Sequence, residues 1–351
     1  MRGRGRLPDS APVVIVGGGI TGVALLRHLP RAILIEQRRL AWGASGRNAG
    51  FLLAGVASCY ADAVAQYGRD RAAEIWAFTI ENRRRLLETG VPAGIRGSWT
   101  LAASDAEADA LFTSETMLEE DGFGARWDPA RRGLLIPEDG ECDPAAVVSA
   151  LATGHEDRIV EGVGVTAIEP GRVEAGGQEI ATETIVLATN AFTGRLADVP
   201  IAPVRGQMLA TAPTLRRALD RPTYADRGYQ YWRQLDSGEV LAGGYRDRAA
   251  EEEIGYSLEP SQAIQAHLDA HVAALGVAAP VTHRWAGTMG FTPDGLPLVG
   301  ELPGLPGVFV CGGYTGHGLG FAFECARRLA EHLSGGQPPP AWLSPVESSR
   351  R

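Results

Sequence analysis

A mixed fold, α/β in one part and α+β in another, is predicted by two features of the sequence. The first is a βαβ pattern near the N-terminus, in which the apolar run Val13–Val16, a glycine turn and a helical stretch precede a second apolar run at 32–35. The second is the segment 199–285, which is rich in strand signals separated by short turns. The first pattern is typical of a parallel, Rossmann-like sheet, and the second of an antiparallel sheet in another domain.

The glycine turn matches G-x-G-x-x-G at Gly17, Gly19 and Gly22. Gly17 permits the tight turn, Gly19 leaves room for a pyrophosphate against the backbone, and Gly22 lets the helix pack on the strand. Glu36 follows Gly17 by 19 residues, where a carboxylate accepts hydrogen bonds from an adenosine ribose and repels a 2′-phosphate. The motif therefore predicts FAD or NAD rather than NADP. Cofactor contacts are expected from Gly17, Gly19, Ile20, Thr21, Gly22, Glu36, Gln37 and Arg38.

Composition narrows the function further. The formal net charge of −9 over 351 residues disfavours a nucleic-acid partner, since phosphate binding relies on clustered cations. All 33 basic residues are arginine, which excludes any mechanism that needs a lysine. Residues 1–10 lack the apolar core of a secretory signal and no run reads as a membrane span, so we expect a disordered leader and a cytoplasmic protein. Without a C-x-x-C motif, the four cysteines are expected to be reduced thiols.

The loop after Glu36 carries G-A-S-G-R-N-A-G at 43–50. Together with the N-terminal glycine motif and the acid, this segment resembles the FAD-dependent amine oxidoreductases related to D-amino-acid, sarcosine and glycine oxidases. Its S-G-R-N part is most similar to the γ-glutamylputrescine oxidoreductase branch. The resemblance implies that the loop lies against the flavin ring, with contacts from Ala44, Ser45, Arg47, Asn48, Ala49 and Gly50.

Two later segments fit the same resemblance. The buried run TIVLATN at 184–190 matches a second dinucleotide contact, and the hairpin before it places a valine beside the adenine. The block 284–333 resembles the C-terminal flavin motif of the family, in which T-P-D-G-x-P-x-x-G precedes a strand, a G-H-G loop and a helix expected at 321–333. The N-terminus of that helix would stabilise negative charge on reduced flavin. The implied contacts are Val163, Ala188, Thr189, Asn190, Gly313, Gly316, His317, Gly318, Leu319 and Gly320.

The resemblance implies a discontinuous architecture. The FAD-binding domain comprises 11–56, 137–199 and 286–335, the substrate domain comprises 57–136 and 200–285, and 336–351 is a flexible tail. Local patterns predict helices over 60–88, with a solvated face at 83–85, and over 105–120, from Asp143-Pro144 onward, and over 261–275.

Three departures from the family bear on chemistry. Gly287 stands where sarcosine-oxidase relatives attach FAD through a cysteine, so we expect non-covalent FAD. Gly320 stands where those relatives carry an oxygen-activating lysine, which leaves open whether O2 or another acceptor reoxidises the flavin. Met289 stands where the glycine-oxidase branch carries a carboxylate-binding arginine. Either the substrate is an amine without an α-carboxylate, or its anchor is one of Arg47, Arg233, Arg246 and Arg284.

The expected reaction is oxidation of a C–N bond in a small amine or amino acid. A hydride passes from the carbon beside the nitrogen to flavin N5, and water hydrolyses the resulting imine. No strong side-chain base is required, because a neutral amine supplies its own lone pair. Candidate residues that would tune the flavin, form the wall of the substrate pocket or bind a substrate carboxylate are His317, Arg47, Tyr229, Tyr231, Tyr245, Arg233 and Met289.

Three alternatives stay open. One is an FAD dehydrogenase that passes electrons to a quinone or carrier, which the missing lysine favours. Another is an NAD-dependent dehydrogenase, in which the G-H-G block would have no role. The third is a flavin-binding interaction protein without turnover. No metal site is expected, because His267 and His271 lie at i and i+4 on one helix without a third ligand.

Overall fold

A computed structural model describes residues 6–215 and 219–348 as strands and helices in the following order. The strands are β1 (Val13–Val16), β2 (Ala32–Glu36), β3 (Phe51–Leu52), β4 (Ala93–Ile95), β5 (Ser98–Leu101), β6 (Arg126–Asp128), β7 (Gly133–Ile136), β8 (Gly140–Cys142), β9 (Ile159–Glu161), β10 (Val165–Glu169), β11 (Arg172–Ala175), β12 (Gln178–Ala181), β13 (Thr184–Leu187), β14 (Ala202–Thr211), β15 (Thr223–Ala225), β16 (Gln230–Gln234), β17 (Val240–Gly244), β18 (Val281–Phe291), β19 (Leu298–Glu301) and β20 (Val308–Gly312). The helices are α1 (Ile20–His28), α2 (Tyr60–Tyr67), α3 (Arg69–Glu88), α4 (Asp105–Glu120), α5 (Pro144–Ala152), α6 (Gln262–Ala274), α7 (Gly318–Leu333) and α8 (Pro345–Ser348).

The N-terminal βαβ unit forms the centre of a six-stranded sheet with the order β19-β20-β13-β1-β2-β9. β1 pairs in parallel with both β2 and β13, whereas β19 at the edge is antiparallel to β20. Val14 and Ile15 are completely buried because both faces of the sheet are covered. Helices α1, α5 and α7 pack on the face that carries Ile15, and the small sheet β10-β11-β12 packs on the face that carries Val14.

The second large sheet has eight strands in the order β18-β14-β17-β16-β15-β5-β7-β6. Its pairs are antiparallel except for β15 and β5, which join the two stretches of chain expected to form the substrate domain. The alternation along β16 sends Trp232 toward a cluster with Leu268 of α6, while Tyr231 lies on the other face with its ring 6.3 Å from that of Phe51. One face of this sheet is therefore core, and the other is turned toward the β3 segment.

The helices follow the predicted pattern with one break. α4 begins after Ser104, whose hydroxyl caps the helix by accepting the Glu107 N–H, and α5 begins after Asp143, whose carboxylate accepts two N–H groups. The helix expected over 60–88 is divided at Gly68, which has a φ of 82°. Among the described residues, no helix is both long and apolar enough to cross a membrane.

Both ends of the described chain are ordered by contacts with the domains. Ser10 forms a bridge with Ala181, whose N–H donates to the Asp9 carbonyl over 3.0 Å. Near the C-terminus, Trp342 and Leu343 are buried. The expected disordered leader over 1–10 and flexible tail over 336–351 therefore do not hold for residues 9–10 and 342–343, since these pair or pack with the core; residues 1–5 and 349–351 lie outside the described residues.

Candidate active site

The glycine turn after β1 is held in place from two sides. Gly17 has a φ of 110°, which a side chain would strain, and a Cβ on Gly22 would lie only 1.9 Å from the Gly17 carbonyl oxygen. Gly18 donates its N–H to the Glu36 carboxylate over 2.6 Å, and Ile20 donates its N–H to the Ser45 hydroxyl over 2.9 Å. The turn thus presents backbone without side chains at the N-terminus of α1, which is where a phosphate binds.

Glu36 is fixed at the end of β2 by two backbone donors. Its carboxylate accepts the Gly18 N–H and, over 2.7 Å, the Arg38 N–H. Burial nevertheless raises the pKa of Glu36, and the two hydrogen bonds only partly oppose this effect. The carboxylate keeps further lone pairs for a ribose hydroxyl while it orders the turn.

The 43–50 loop contains a short 3₁₀ turn, Ala44–Gly46, and folds on its own side chains. Arg47 donates to the carbonyls of Trp42 (2.8 Å) and Ala286 (3.1 Å), and its guanidinium carbon lies 4.8 Å from the centre of the Trp42 ring. Asn48 donates to the Ala44 carbonyl over 3.0 Å and accepts the Gly50 N–H over 2.7 Å. The polar side chains in S-G-R-N therefore shape the loop and fasten it to β18.

The G-H-G loop leads into α7, which begins at Gly318 rather than at 321 as expected, with His317 at its N-cap. Gly313 donates its N–H to the Asn190 side chain over 2.8 Å, so the loop is fastened to the end of β13. Burial, with a smaller contribution from the Arg246 charge, lowers the pKa of His317 to about 4. The imidazole is therefore neutral at pH 7.

The opposite wall comes from the second sheet. Tyr224 and Tyr231 lie with their rings 5.9 Å apart, and the His317 ring lies 5.8 Å from Tyr224. Burial raises the pKa of both phenols, to about 12 for Tyr231, so both hydroxyls stay protonated at neutral pH. Met289 on β18 approaches the G-H-G loop, its sulfur 3.7 Å from the position that a Cβ on Gly316 would occupy.

These parts line one continuous cavity of about 490 Å³. The predicted residues that line it are Gly17, Gly19, Ile20, Thr21, Glu36, Gln37, Arg38, Ala44, Ser45, Arg47, Asn48, Ala49, Gly50, Ala188, Thr189, Asn190, Tyr231, Met289, Gly316, His317, Gly318, Leu319 and Gly320. Gly22 and Gly313 do not line the cavity but hold residues that do: Gly22 packs against Gly17, and Gly313 donates to Asn190. Val165 belongs to the lining, whereas Val163, which was expected there, does not. A dinucleotide turn thus shares its cavity with the wall of a second domain.

Two catalytic candidates lie elsewhere. Arg233 is buried away from the cavity, where it donates to the Cys142 carbonyl over 2.8 Å and faces Glu141 at 3.4 Å. Tyr245 points to α6, with its hydroxyl 2.9 Å from His271 and its ring stacked on His267. Neither side chain lines the cavity: Arg233 lies on the same face of β16 as Tyr231 but is bound to Cys142 and Glu141, and Tyr245 is turned toward α6.

Several lining residues were not predicted from the sequence. Phe192 and Arg195 follow β13, and Tyr256 stacks on Phe192 with ring centres 5.2 Å apart. Arg246 was named only as one of four possible anchors. The segment that carries Tyr256 has no motif, and it is tied to β14 by the ion pair between Glu253 and Arg205, 2.6 Å apart, and by a backbone bridge between Ile254 and Val204. A long-range ion pair of that kind leaves no periodic signal in the sequence.

The arrangement is that of a nucleotide-binding domain whose cavity is closed by a second domain. The sequence profile of the "FAD dependent oxidoreductase" family (DAO) matches residues 12–332, so the chain belongs to this family. Its FAD-dependence agrees with the expected cofactor. The more specific γ-glutamylputrescine branch stays a prediction.

Individual relatives are distant in sequence and close in fold. 4-Methylaminobutanoate oxidase (formaldehyde-forming) of Paenarthrobacter nicotinovorans is 26% identical, over 95% of this chain and 44% of its own length. The chain thus spans less than half of that relative. Glycine oxidase of Pseudomonas aeruginosa is 26% identical over 94% of this chain and 96% of its own. The structure of L-proline dehydrogenase from P. horikoshii superposes with a TM-score of 0.79 at 21% identity, covering 98% and 99% of the two chains, which shows a shared fold.

The residues present fit FAD. A Cβ on Gly19 would fill the space beside the Ser45 hydroxyl at 2.8 Å, so the turn stays open only with glycine. Apart from the Ile20 N–H, which the Ser45 hydroxyl accepts, the N–H groups of the first turn of α1 have no partner within the helix and suit the diphosphate, and Glu36 suits the ribose. The N-terminus of α7, capped by an uncharged His317, suits the flavin ring.

Proposed function

We propose that the chain is an FAD-dependent oxidoreductase that oxidises a C–N bond in a small amine or amino acid to an imine, which water then hydrolyses. The observation that carries the proposal is the single cavity that joins the Gly17 turn to a wall of Tyr224, Tyr231 and Met289. Such a cavity offers the cofactor and a small organic substrate adjoining space. When bound, FAD supplies the acceptor for two electrons.

The chain contributes position and electrostatics rather than a strong base. His317 is neutral with a low pKa, and Tyr224 and Tyr231 keep their protons, so none of these three side chains is a strong base toward an ammonium group. The substrate amine must therefore arrive, or become, neutral, and its own lone pair forms the C=N bond as the adjacent C–H is lost. The aromatic wall and Met289 exclude water from that step and orient the C–H bond.

Electron acceptance is the second part of the proposal. Either O2, giving H2O2, or a quinone or protein carrier reoxidises the flavin. The absence of lysine from the whole chain favours the carrier, because Gly320 stands where the sarcosine-oxidase relatives carry an oxygen-activating lysine.

The test is direct. The purified protein should show flavin absorbance, and anaerobic addition of amines, N-methyl amino acids and D- and L-amino acids should bleach it with at least one of them. A flavin that stays oxidised with the whole panel would favour the alternative of a flavin-binding protein without turnover. A protein that shows no flavin band after incubation with FAD and removal of the unbound FAD would contradict the cofactor assignment.

A further inference from the structure

Arg246 is brought into the cavity by an unusual turn at the end of β17. Tyr245 adopts a φ of 62°, a left-handed conformation that is rare for an aromatic residue, and its N–H donates to the Tyr229 carbonyl over 2.7 Å. The turn sends the Tyr245 side chain outward to His271 and leaves Arg246 among the residues that line the cavity. Backbone strain of this kind collects at functional sites.

The guanidinium of Arg246 lies over two aromatic rings. Its central carbon lies 4.3 Å from the centre of the Tyr229 ring and 5.2 Å from that of Phe291. Within the described part of the chain, Arg246 makes no hydrogen bond and no ion pair. A guanidinium that contacts rings and binds no polar group keeps its N–H groups available, and these match a carboxylate with two parallel hydrogen bonds.

The other three candidate anchors are already engaged. Arg233 is bound to Cys142 and Glu141, and Arg284 is bound to Asp269 at 2.8 Å on the surface. Arg47 lines the cavity, but two of its nitrogens are taken by the carbonyls that fasten its loop. Arg246 is therefore the candidate whose hydrogen-bonding edge is fully available.

The charge of Arg246 reaches the catalytic end of the cavity. It opposes the effect of burial on the phenols of Tyr224 and Tyr231 and adds to it at His317. With His317 neutral, none of these three side chains carries a charge that balances it. A half-buried cation without a counter-ion is costly, and an anionic ligand removes that cost.

We propose that the substrate carries a carboxylate and that Arg246 binds it, in place of the arginine that Met289 replaces. The proposal rests on the proposed function and narrows it to amino acids or N-alkyl amino acids. Their carboxylate would lie against the Arg246 edge, with Tyr224 and Tyr231 as the neighbouring hydroxyl donors. Arg246 would then determine specificity by binding and orienting the substrate, with no part in proton or hydride transfer.

The first test measures binding without turnover. Dissociation constants of acetate and benzoate are obtained from the perturbation of the bound-flavin spectrum in wild type, Arg246→Gln and Arg246→Lys. We expect Arg246→Gln to weaken carboxylate binding by about thirtyfold or more. Arg246→Lys should retain part of the affinity, because it keeps the positive charge although it loses the pair of parallel N–H donors. Arg284→Gln, which removes an arginine paired with Asp269 outside the cavity, should bind as wild type.

The second test measures flavin reduction with matched substrates, proline against pyrrolidine and N-methylglycine against dimethylamine. Wild type should prefer the member with the carboxylate, and Arg246→Gln should lose that preference through binding while its limiting reduction rate changes little. Carboxylate binding that is absent in wild type, unchanged in Arg246→Gln, or lost instead in Arg47→Gln or Arg195→Gln would overturn the proposal. The FAD content and the melting temperature of each variant should equal those of wild type, which shows that the variant is folded. If Arg246→Gln does not fold, Arg246→Met takes its place in both tests.

The two proposals fail in different ways. If carboxylates bind through Arg246 but no amine or amino acid reduces the flavin, the anchor stands and the oxidoreductase proposal fails. If pyrrolidine and dimethylamine reduce the flavin equally well in wild type and Arg246→Gln, and proline gains nothing from its carboxylate, the oxidoreductase stands and the anchor fails.

Discussion

His317 combines a position at the start of a helix with a half-buried place beside the Tyr224 ring and within reach of the Arg246 charge. Both features oppose a positive charge, since the N-terminus of α7 is itself the positive end of the helix dipole. The pKa of about 4 follows mainly from burial and secondly from Arg246. A neutral imidazole can accept or donate a hydrogen bond without adding charge beside the ring of a flavin.

This low pKa predicts a pH dependence of stability. Between the folded value of about 4 and the ordinary value of 6.5, the unfolded chain binds a proton at His317 that the folded chain does not. The contribution of His317 to the free energy of unfolding is therefore fully present above pH 6.5 and is lost as the pH drops toward 4. Urea unfolding of the flavin-free protein at pH 7.5 and pH 5 should show a smaller fall in His317→Gln than in wild type. Equal falls would contradict the buried, neutral assignment, since His28 and His271, whose pKa values burial also lowers, are present in both proteins.

Gly19 is the residue at which a small change should separate cofactor binding from folding. A valine there places its Cβ within 2.8 Å of the Ser45 hydroxyl that accepts the Ile20 N–H, and it covers the backbone where a pyrophosphate approaches. We expect Gly19→Val to weaken FAD binding by at least about tenfold, or about 1.4 kcal/mol. Fluorescence titration of the apoprotein with FAD gives the dissociation constant. Gly124→Val, at an exposed glycine with open space, is the control, and wild-type affinity in Gly19→Val would refute the placement of the diphosphate.

The carboxylate of Asp139 joins three segments of the chain. Its carboxylate accepts from Arg83 on α3 over 2.6 Å, from Ser98 on β5 over 2.7 Å and from the Ala54 N–H after β3 over 3.0 Å. Arg83 is buried here, so the expectation of a solvated face at 83–85 is wrong at its first residue. The pair holds the first part of the second domain against the loop that enters the cavity.

Breaking this buried pair should be costly. Asp139→Ala leaves the Arg83 guanidinium with only Glu138, an exposed carboxylate 3.5 Å away, and we expect a loss of about 3–5 kcal/mol in the free energy of unfolding. The control is Asp105→Ala, which removes an exposed ion pair with Arg132 and should cost no more than about 1 kcal/mol. Similar small losses of the free energy of unfolding in both variants, measured by urea unfolding, would show that Asp139 does not hold α3, β5 and the segment after β3 together.

Local signals explain which elements could be predicted. The βαβ unit, α4 and α5 follow from runs, caps and glycines that lie next to the residues they organise. The side-chain directions of Arg233, Tyr245 and Arg246 could not be predicted, because they depend on Glu141, His271 and a left-handed turn contributed from elsewhere in the fold. Period-two alternation correctly puts Tyr231 and Arg233 on one face, but it does not say which of them reaches the cavity.

The cavity forms only when stretches of chain that are distant in the sequence meet in the fold. Glu36, Asn190, Arg246 and His317 belong to four different segments, and Trp285 of β18 donates to the Arg47 carbonyl over 2.8 Å to bring two of the stretches together. The motifs at the two ends of the chain were recognisable in the sequence. That these motifs meet at one cavity wall could be seen only in the folded structure.

The absence of a cysteine at the flavin predicts how FAD is held. Gly287 lies beside Arg47, and none of the four cysteines, all within the described residues, lines the cavity. Acid precipitation should therefore release the flavin into the supernatant, as measured by its absorbance. Flavin that remains in the denatured pellet would disprove non-covalent binding.

The complete absence of lysine predicts how the reduced enzyme is reoxidised. Reaction of a reduced flavin with O2 is helped by a positive charge beside it, and the chain has Gly320 where related oxidases place that charge. A side chain could not be added there freely, because a Cβ would lie 3.0 Å from the Leu53 carbonyl oxygen. We therefore expect stopped-flow mixing of the reduced protein to show slower reoxidation by air-saturated buffer than by an equimolar water-soluble quinone. Fast reoxidation by O2 in wild type would contradict this expectation, and its loss in Arg246→Gln would identify Arg246 as the cation that takes the place of the lysine.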